Sequence, residues 1–203
     1  MTDEERFAEW TRQIRASYEE TVQTFWNRNL FRALRRMFET NQELASTGRH
    51  VWDWIAGMYL RDASMLIRRE LDKQRGAMNL RHLLHDIEAH PHVLQKYSKA
   101  RHVPRPEDVR VDREELEAAT TTVRNYAERL LAHRTSATEI VVTWDDLDVA
   151  VKAVLRTMRR YYGYLTASNL AFATPVAQFD WLKPSTISWA IDTFAEPPDD
   201  DET

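Results

Sequence analysis

EERFAEWTRQIRASYEETVQTFWNRNLFRALRRMFETNQEL, residues 4–44, contains neither proline nor glycine. Its apolar positions Phe7, Trp10 or Ile14, Tyr18, Val22, Phe25, Leu30, Leu34 and Phe38 recur at roughly helical intervals. The spacing predicts one long helix, or two broken near Asn27-Arg28-Asn29. Downstream, Thr47-Gly48 is a stop signal before a second helix over residues 50–73, whose stripe is Val51, Ile55, Met58, Ala63, Leu66 and Ile67. Gly76 breaks that pattern. Asn79 can then cap a shorter helix through Glu88, and His90-Pro91 marks its end or a turn into another short piece reaching Lys99.

Residues 101–110 carry Pro104 and Pro106 and read as a connection. Asp112 with Glu115 reads as a capping box opening the next helix. From Leu116, the positions Ala119, Val123, Tyr126 or Ala127, and Leu130 form its buried stripe. Ile140-Val141-Val142 reads as a brief extended piece. A stronger start follows at Thr143, with Asp146 at the third helical position, and the stripe Leu147, Val151, Val154, Met158, Tyr161 or Tyr162, and Leu165 carries a helix to about Asn169. The prolines 175 and 184 break up an apolar stretch holding Phe172, Val176, Phe179, Trp181, Ile187 and Trp189, too much large apolar surface to leave in water. The expected organisation is therefore a helical domain over residues 1–170, an irregular C-terminal arm over 171–195 that packs on the bundle or on another subunit, and a disordered acidic tail over 196–203.

Composition narrows the function. The 203 residues are 43% hydrophobic with only four glycines, which suits one all-α domain and its core. A formal net charge of −4, from 28 basic and 32 acidic residues, rules out a globally basic nucleic-acid binder and leaves only a local patch. Without cysteine there is no disulfide, thiol nucleophile or thiolate zinc site. No run of eighteen apolar residues and no basic-then-apolar leader is present, so no membrane association is expected and the cytoplasm is the default location. Phosphate-cradling glycine loops, dinucleotide fingerprints and serine elbows are missing, and no cofactor is expected. The histidines 82, 85, 90 and 92 cluster beside Asp86 and Glu88 without completing a recognised metal-ligand spacing, so no metal is expected either. The aromatic positions Trp10, Tyr18, Phe25, Trp26 and Phe31 can stack on bases, although helical recurrence favours packing.

One segment has chemistry of its own. In Asn125-Tyr-Ala-Glu-Arg-Leu-Leu-Ala-His-Arg134, α-helical spacing puts Asn125, Arg129 and His133 one turn apart along one face. RNA can be cut without a metal when one group deprotonates or orients a 2′-hydroxyl, a cation stabilises the phosphate, and a group protonates the leaving oxygen. His133 suits either proton transfer near neutral pH, Arg129 can grip two phosphate oxygens, and Arg134 can add a second contact. Asn125 can supply a hydrogen bond, and Glu128 can orient a nearby basic side chain. The same spacing also suits a solvated helix face, as does the cluster Arg156, Arg159 and Arg160.

With these residues in view, the segment Ala132-His133-Arg134, a short connection and the helix opening Thr143-Trp-Asp-Asp-Leu-Asp148 together resemble the latter half of a HEPN domain, and more narrowly the HEPN-like family of AbiU-type phage abortive infection. Ser64-Met-Leu-Ile-Arg-Arg-Glu-Leu-Asp72 and Leu80-Arg-His-Leu-Leu84 extend the resemblance over residues 25–170. It implies an antiparallel helical bundle that pairs as a homodimer, and a metal-independent endoribonuclease acting as a defence effector or toxin, with His133 and Arg129 catalytic and Arg134, Asn125 and Glu128 on the RNA. A HEPN-like protein without catalysis, regulating an antitoxin or defence partner, is the alternative. The family pattern has four to six residues between arginine and histidine and a polar residue after the arginine; Arg129 has three and is followed by Leu130. Arg124 lies farther upstream, on a different angular track from His133.

Overall fold

The computed structural model describes residues 1–74, 78–132 and 141–167, and among these every regular element is helical. The first stretch is a single unbroken helix, α1 (Asp3–Thr40), running straight through Asn27-Arg28-Asn29, and a short α2 (Gln42–Thr47) follows. Next come α3 (Arg49–Glu70), α4 (Leu80–Ala89), α5 (Pro91–Tyr97) and α6 (Pro106–Tyr126); α6 continues directly into a π-helical segment, Ala127–Ala132, and α7 spans Trp144–Thr166. Thr143 and Asp146 form the expected capping box, and the Asn79 side chain accepts from the His82 amide.

Cross-links between the helices fix their directions. Along α1 and α7, Tyr18 meets Tyr162, Arg28 meets Asp148 and Phe31 meets Trp144, so the two run antiparallel. Asn27–Asp62, Phe31–Tyr59 and Phe38–Trp52 set α3 antiparallel to α1. Asp112–Tyr161 and Glu115–Arg156 do the same for α6 and α7, as Arg81–Glu117 and Glu88–Arg113 do for α4 and α6. The result is an antiparallel all-α bundle.

The stripe of α7 is buried as its spacing requires: Leu147, Val151, Val154, Met158, Tyr161 and Leu165 all lie in the core with Leu66, Ile67, Leu83, Leu84, Leu116 and Val123. The inner face of α1 differs from the one its aromatic residues suggest. Trp10 and Ile14 are buried as expected, but the face continues through Gln13, Ser17, Thr21, Thr24, Arg28 and Phe31, all buried, while Tyr18, Val22 and Phe25 flank it half-buried and Trp26 and Leu30 are exposed. Thr21 donates to the Ser17 carbonyl, so its buried hydroxyl is satisfied within the helix.

Two other readings need correction. Helix α6 begins at Pro106, six residues before Asp112, because proline suits a first helical turn and the Asp108 carboxylate accepts from the Arg105 amide. Asp112 is therefore no cap: it lies inside the helix, buried, accepting from the Tyr161 hydroxyl at 3.0 Å and from Arg160. Helix α7 stops at Thr166, with Ala167 in the left-handed region at φ 54°. Asn169, the C-terminal arm and the acidic tail lie outside the described residues, as does Ile140.

A buried polar clasp joins the two short stretches that carried the family resemblance. Glu70, 1% exposed at the end of α3, accepts from the Leu80 amide at 3.0 Å, and the Asn79 side chain donates to the Asp72 carbonyl while the Asn79 carbonyl accepts from Gln13. Burial pushes the Glu70 carboxyl above its ordinary range, against the opposing hydrogen bond from Leu80 and the charge of Arg69.

Candidate functional site

Helix α6 is anchored through Val109, Leu116, Thr120 and Val123, and its continuation through Ala127, all buried. Where this helix reaches the candidate motif its winding changes. Over Ala127–Ala132 the backbone is π-helical, and this segment packs on α3. Bonding from i to i+5 takes roughly one residue more into each turn than an α-helix does. The four-residue step from Asn125 to Arg129 thus falls short of a full turn, and residues five apart across the junction, such as Arg124 and Arg129, come nearer to one face.

The structure describes three of the five candidate residues. Asn125 is half-buried at the end of α6, while Glu128 and Arg129 are exposed on the π segment. His133 and Arg134 lie outside the described residues. Glu128 sits beside Arg124, its Oε1 3.8 Å from the Arg124 Nε. Arg124 is mostly covered, and its Nη1 is buried without a hydrogen-bond partner. The π turn and this half-used guanidinium were not read from the sequence; the adjacent pair Arg124-Asn125, a cation followed by a polar residue, was the available signal.

The remaining candidates have structural roles. Arg156 pairs with Glu115 at 3.5 Å and Arg160 with Asp112, so both tie α7 to α6 rather than simply solvating a face. His90 lies 3.1 Å from Asp86, which also takes Arg6 and the Trp10 indole, and His92 faces Asp3 at 3.3 Å. Among the described residues no three His, Asp or Glu side chains gather into a metal-holding group. Among the same residues no helix is long and apolar enough to cross a membrane.

A second feature opens at the end of the bundle where the π segment runs out and α7 begins. Arg28, Arg32 and Arg35 follow one another at helical spacing on α1 and, with Phe31, Tyr59, Trp144, Asp145 and Asp148, line a cleft of about 130 Å³. It adjoins a wider groove of about 430 Å³ lined by Arg35, Phe38, Glu39, Arg49, Trp52, Asp53 and Trp144. Arg28 is buried and donates from Nε to Asp148 at 2.5 Å; its Nη2 lies as close to the same oxygen without the alignment of a hydrogen bond. Lys152 holds the other Asp148 oxygen at 2.7 Å. Burial raises the Asp148 carboxyl, but these two cations outweigh it and hold it below its ordinary range.

The model of the HEPN family described as AbiU2 matches residues 4–183. The chain belongs to the AbiU2 family of HEPN proteins. No curated protein and no solved structure matches the chain. The AbiU2 match begins at the first turn of α1 rather than at Phe25, so the long helix with its polar inner face is part of the family domain. It also takes in the Glu70–Asn79 clasp and the whole motif segment, 125–134.

Proposed function

We propose that this AbiU2-family protein is a metal-independent endoribonuclease of HEPN type acting in phage defence or as a toxin. The 2′-oxygen of one nucleotide attacks the adjacent phosphorus, the bond to the 5′-oxygen breaks, and a cyclic phosphate and a 5′-hydroxyl are left. His133 moves a proton, either from the 2′-hydroxyl or to the leaving oxygen, and Arg129 with Arg134 holds the charged phosphate. Asn125 and Glu128 position the strand and the neighbouring cations. Pairing of two chains doubles these groups in one cleft, which offsets the acidic average of the single chain.

The observation that supports this most is the π-helical segment Ala127–Ala132 within a family-matched domain, on the stretch bearing Glu128 and Arg129. π turns are rare and are found frequently at functional sites. Purified protein incubated with mixed RNA in chelator should produce fragments ending in cyclic phosphate, and His133→Ala should not; equal activity of the two sinks the catalytic reading. The second reading, a non-catalytic HEPN regulator of a partner toxin or defence assembly, is favoured by the three-residue gap between Arg129 and His133. The exposed stripe Val51, Trp54 and Met58 on α3 favours it too. It expects no cleavage and a stable complex with a partner protein.

A further inference from the structure

We infer that the cleft and its adjoining groove, lined together by Arg32, Arg35, Arg49, Trp52 and Trp144, form one binding groove for single-stranded RNA beyond the point of cleavage. This rests on RNA being the substrate. Three observations meet there.

The first is uncommitted cations. Arg28 is consumed by Asp148 and Arg35 by Glu39, but among the described residues neither Arg32 nor Arg49 makes an ion pair, and both are exposed. A guanidinium without a carboxylate partner is free to take phosphate oxygens in a bidentate bond.

The second is flat aromatic surface braced from behind. Trp52 stacks on Phe31 with centroids 5.1 Å apart and an interplanar angle of 18°, Phe38 packs on Trp52, and Trp144 packs on Phe31. Trp52 and Trp144 are only half-buried, so both indoles line the groove with area to spare for a base.

The third is position. The antiparallel order of α1, α3, α6 and α7 puts the C-terminal half of α1, the start of α3 and Trp144 at the end of the bundle where the π segment finishes. Groove and π segment therefore lie at the same end of the bundle.

The groove is not strongly basic. Glu39, Asp53, Asp145 and Asp148 line it in number equal to Arg28, Arg32, Arg35 and Arg49. Long-range attraction of a polyanion is therefore weak, and stacking with two local phosphate contacts must supply the affinity. A groove of this kind selects unpaired nucleotides, whose bases are free to stack, over duplex.

The test uses the full-length protein and a short fluorescent 2′-O-methyl oligonucleotide, which lacks the attacking hydroxyl and cannot be cut. Wild type and His133→Ala should bind it equally. The pair Arg32→Gln and Arg49→Gln, both on exposed positions, should weaken binding roughly tenfold and flatten the dependence of log affinity on log salt by about 1.4, the value for two phosphate contacts on a single strand. Arg32→Lys with Arg49→Lys should keep the salt slope. Trp52→Leu should weaken binding by roughly tenfold through loss of one stacked base, and Trp52→Phe much less. On cleavable RNA the arginine pair should raise KM and leave kcat unchanged. Wild-type affinity and salt slope in the glutamine pair, equal affinity for duplex, or no binding by the wild type would each overturn the groove. Cleavage that survives in that pair with unchanged KM removes the groove and spares the nuclease, whereas groove-dependent binding without cleavage removes the nuclease and spares the groove.

Discussion

Asp112 shows how a single carboxylate can be misread from local sequence. Followed three residues later by Glu115 it has the form of a cap, yet its partners are Arg160 and Tyr161, 48 and 49 residues away on α7. Proline at position 106 had already started the helix. Asp112→Ala should destabilise the fold by about 2 kcal/mol, since the buried Tyr161 hydroxyl loses its acceptor, while Tyr161→Phe should cost about 1 kcal/mol; urea unfolding measures both. Glu70 acts through its proton. Its carboxyl binds a proton more tightly in the folded than in the unfolded protein, so it favours folding below the unfolded value and this contribution is lost as pH rises through the folded one. Glu70→Gln keeps an oxygen for the Leu80 amide, and its stability relative to wild type should improve between about pH 4.5 and neutrality. A difference that stays flat across that range would show the carboxyl to be unshifted.

At the scale of elements, most helices were legible because their signals are local. Asn79 and Thr143 with Asp146 cap where their spacing says they should, and α7 buries the stripe its periodicity gives. Thr143→Ala should lower stability by about 1 kcal/mol. The π segment was illegible, since Ala127-Glu-Arg-Leu-Leu-Ala132 is an ordinary α-helical sequence with no glycine or proline to mark the change. The inner face of α1 was legible at Trp10 and Ile14 and was missed beyond them: the Thr21 hydroxyl satisfies itself on the preceding turn, so small polar residues occupy a face that hydrophobicity assigns to Tyr18 and Phe25. Of the candidate site, residue types were readable and their angular relation was not, because that relation depends on the winding. Removing one residue from Ala127–Ala132 should return the segment toward α geometry, leaving helical content by circular dichroism nearly unchanged while abolishing RNA cleavage. Retained cleavage would mean that the winding has no part in the chemistry.

The whole molecule is organised around α1, whose 38 residues span about 57 Å. Near its start, Arg6 and Trp10 bind Asp86 of α4; toward its end, Arg28 and Phe31 bind α7, and Phe38 reaches Trp52 of α3. A protease that nicked the backbone next to Gly48, between α2 and α3, would sever the covalent link between α1 and the remainder without undoing any of those lateral attachments. The two fragments should stay associated through gel filtration and part only in denaturant, making the long helix separable in chemistry but not in solution.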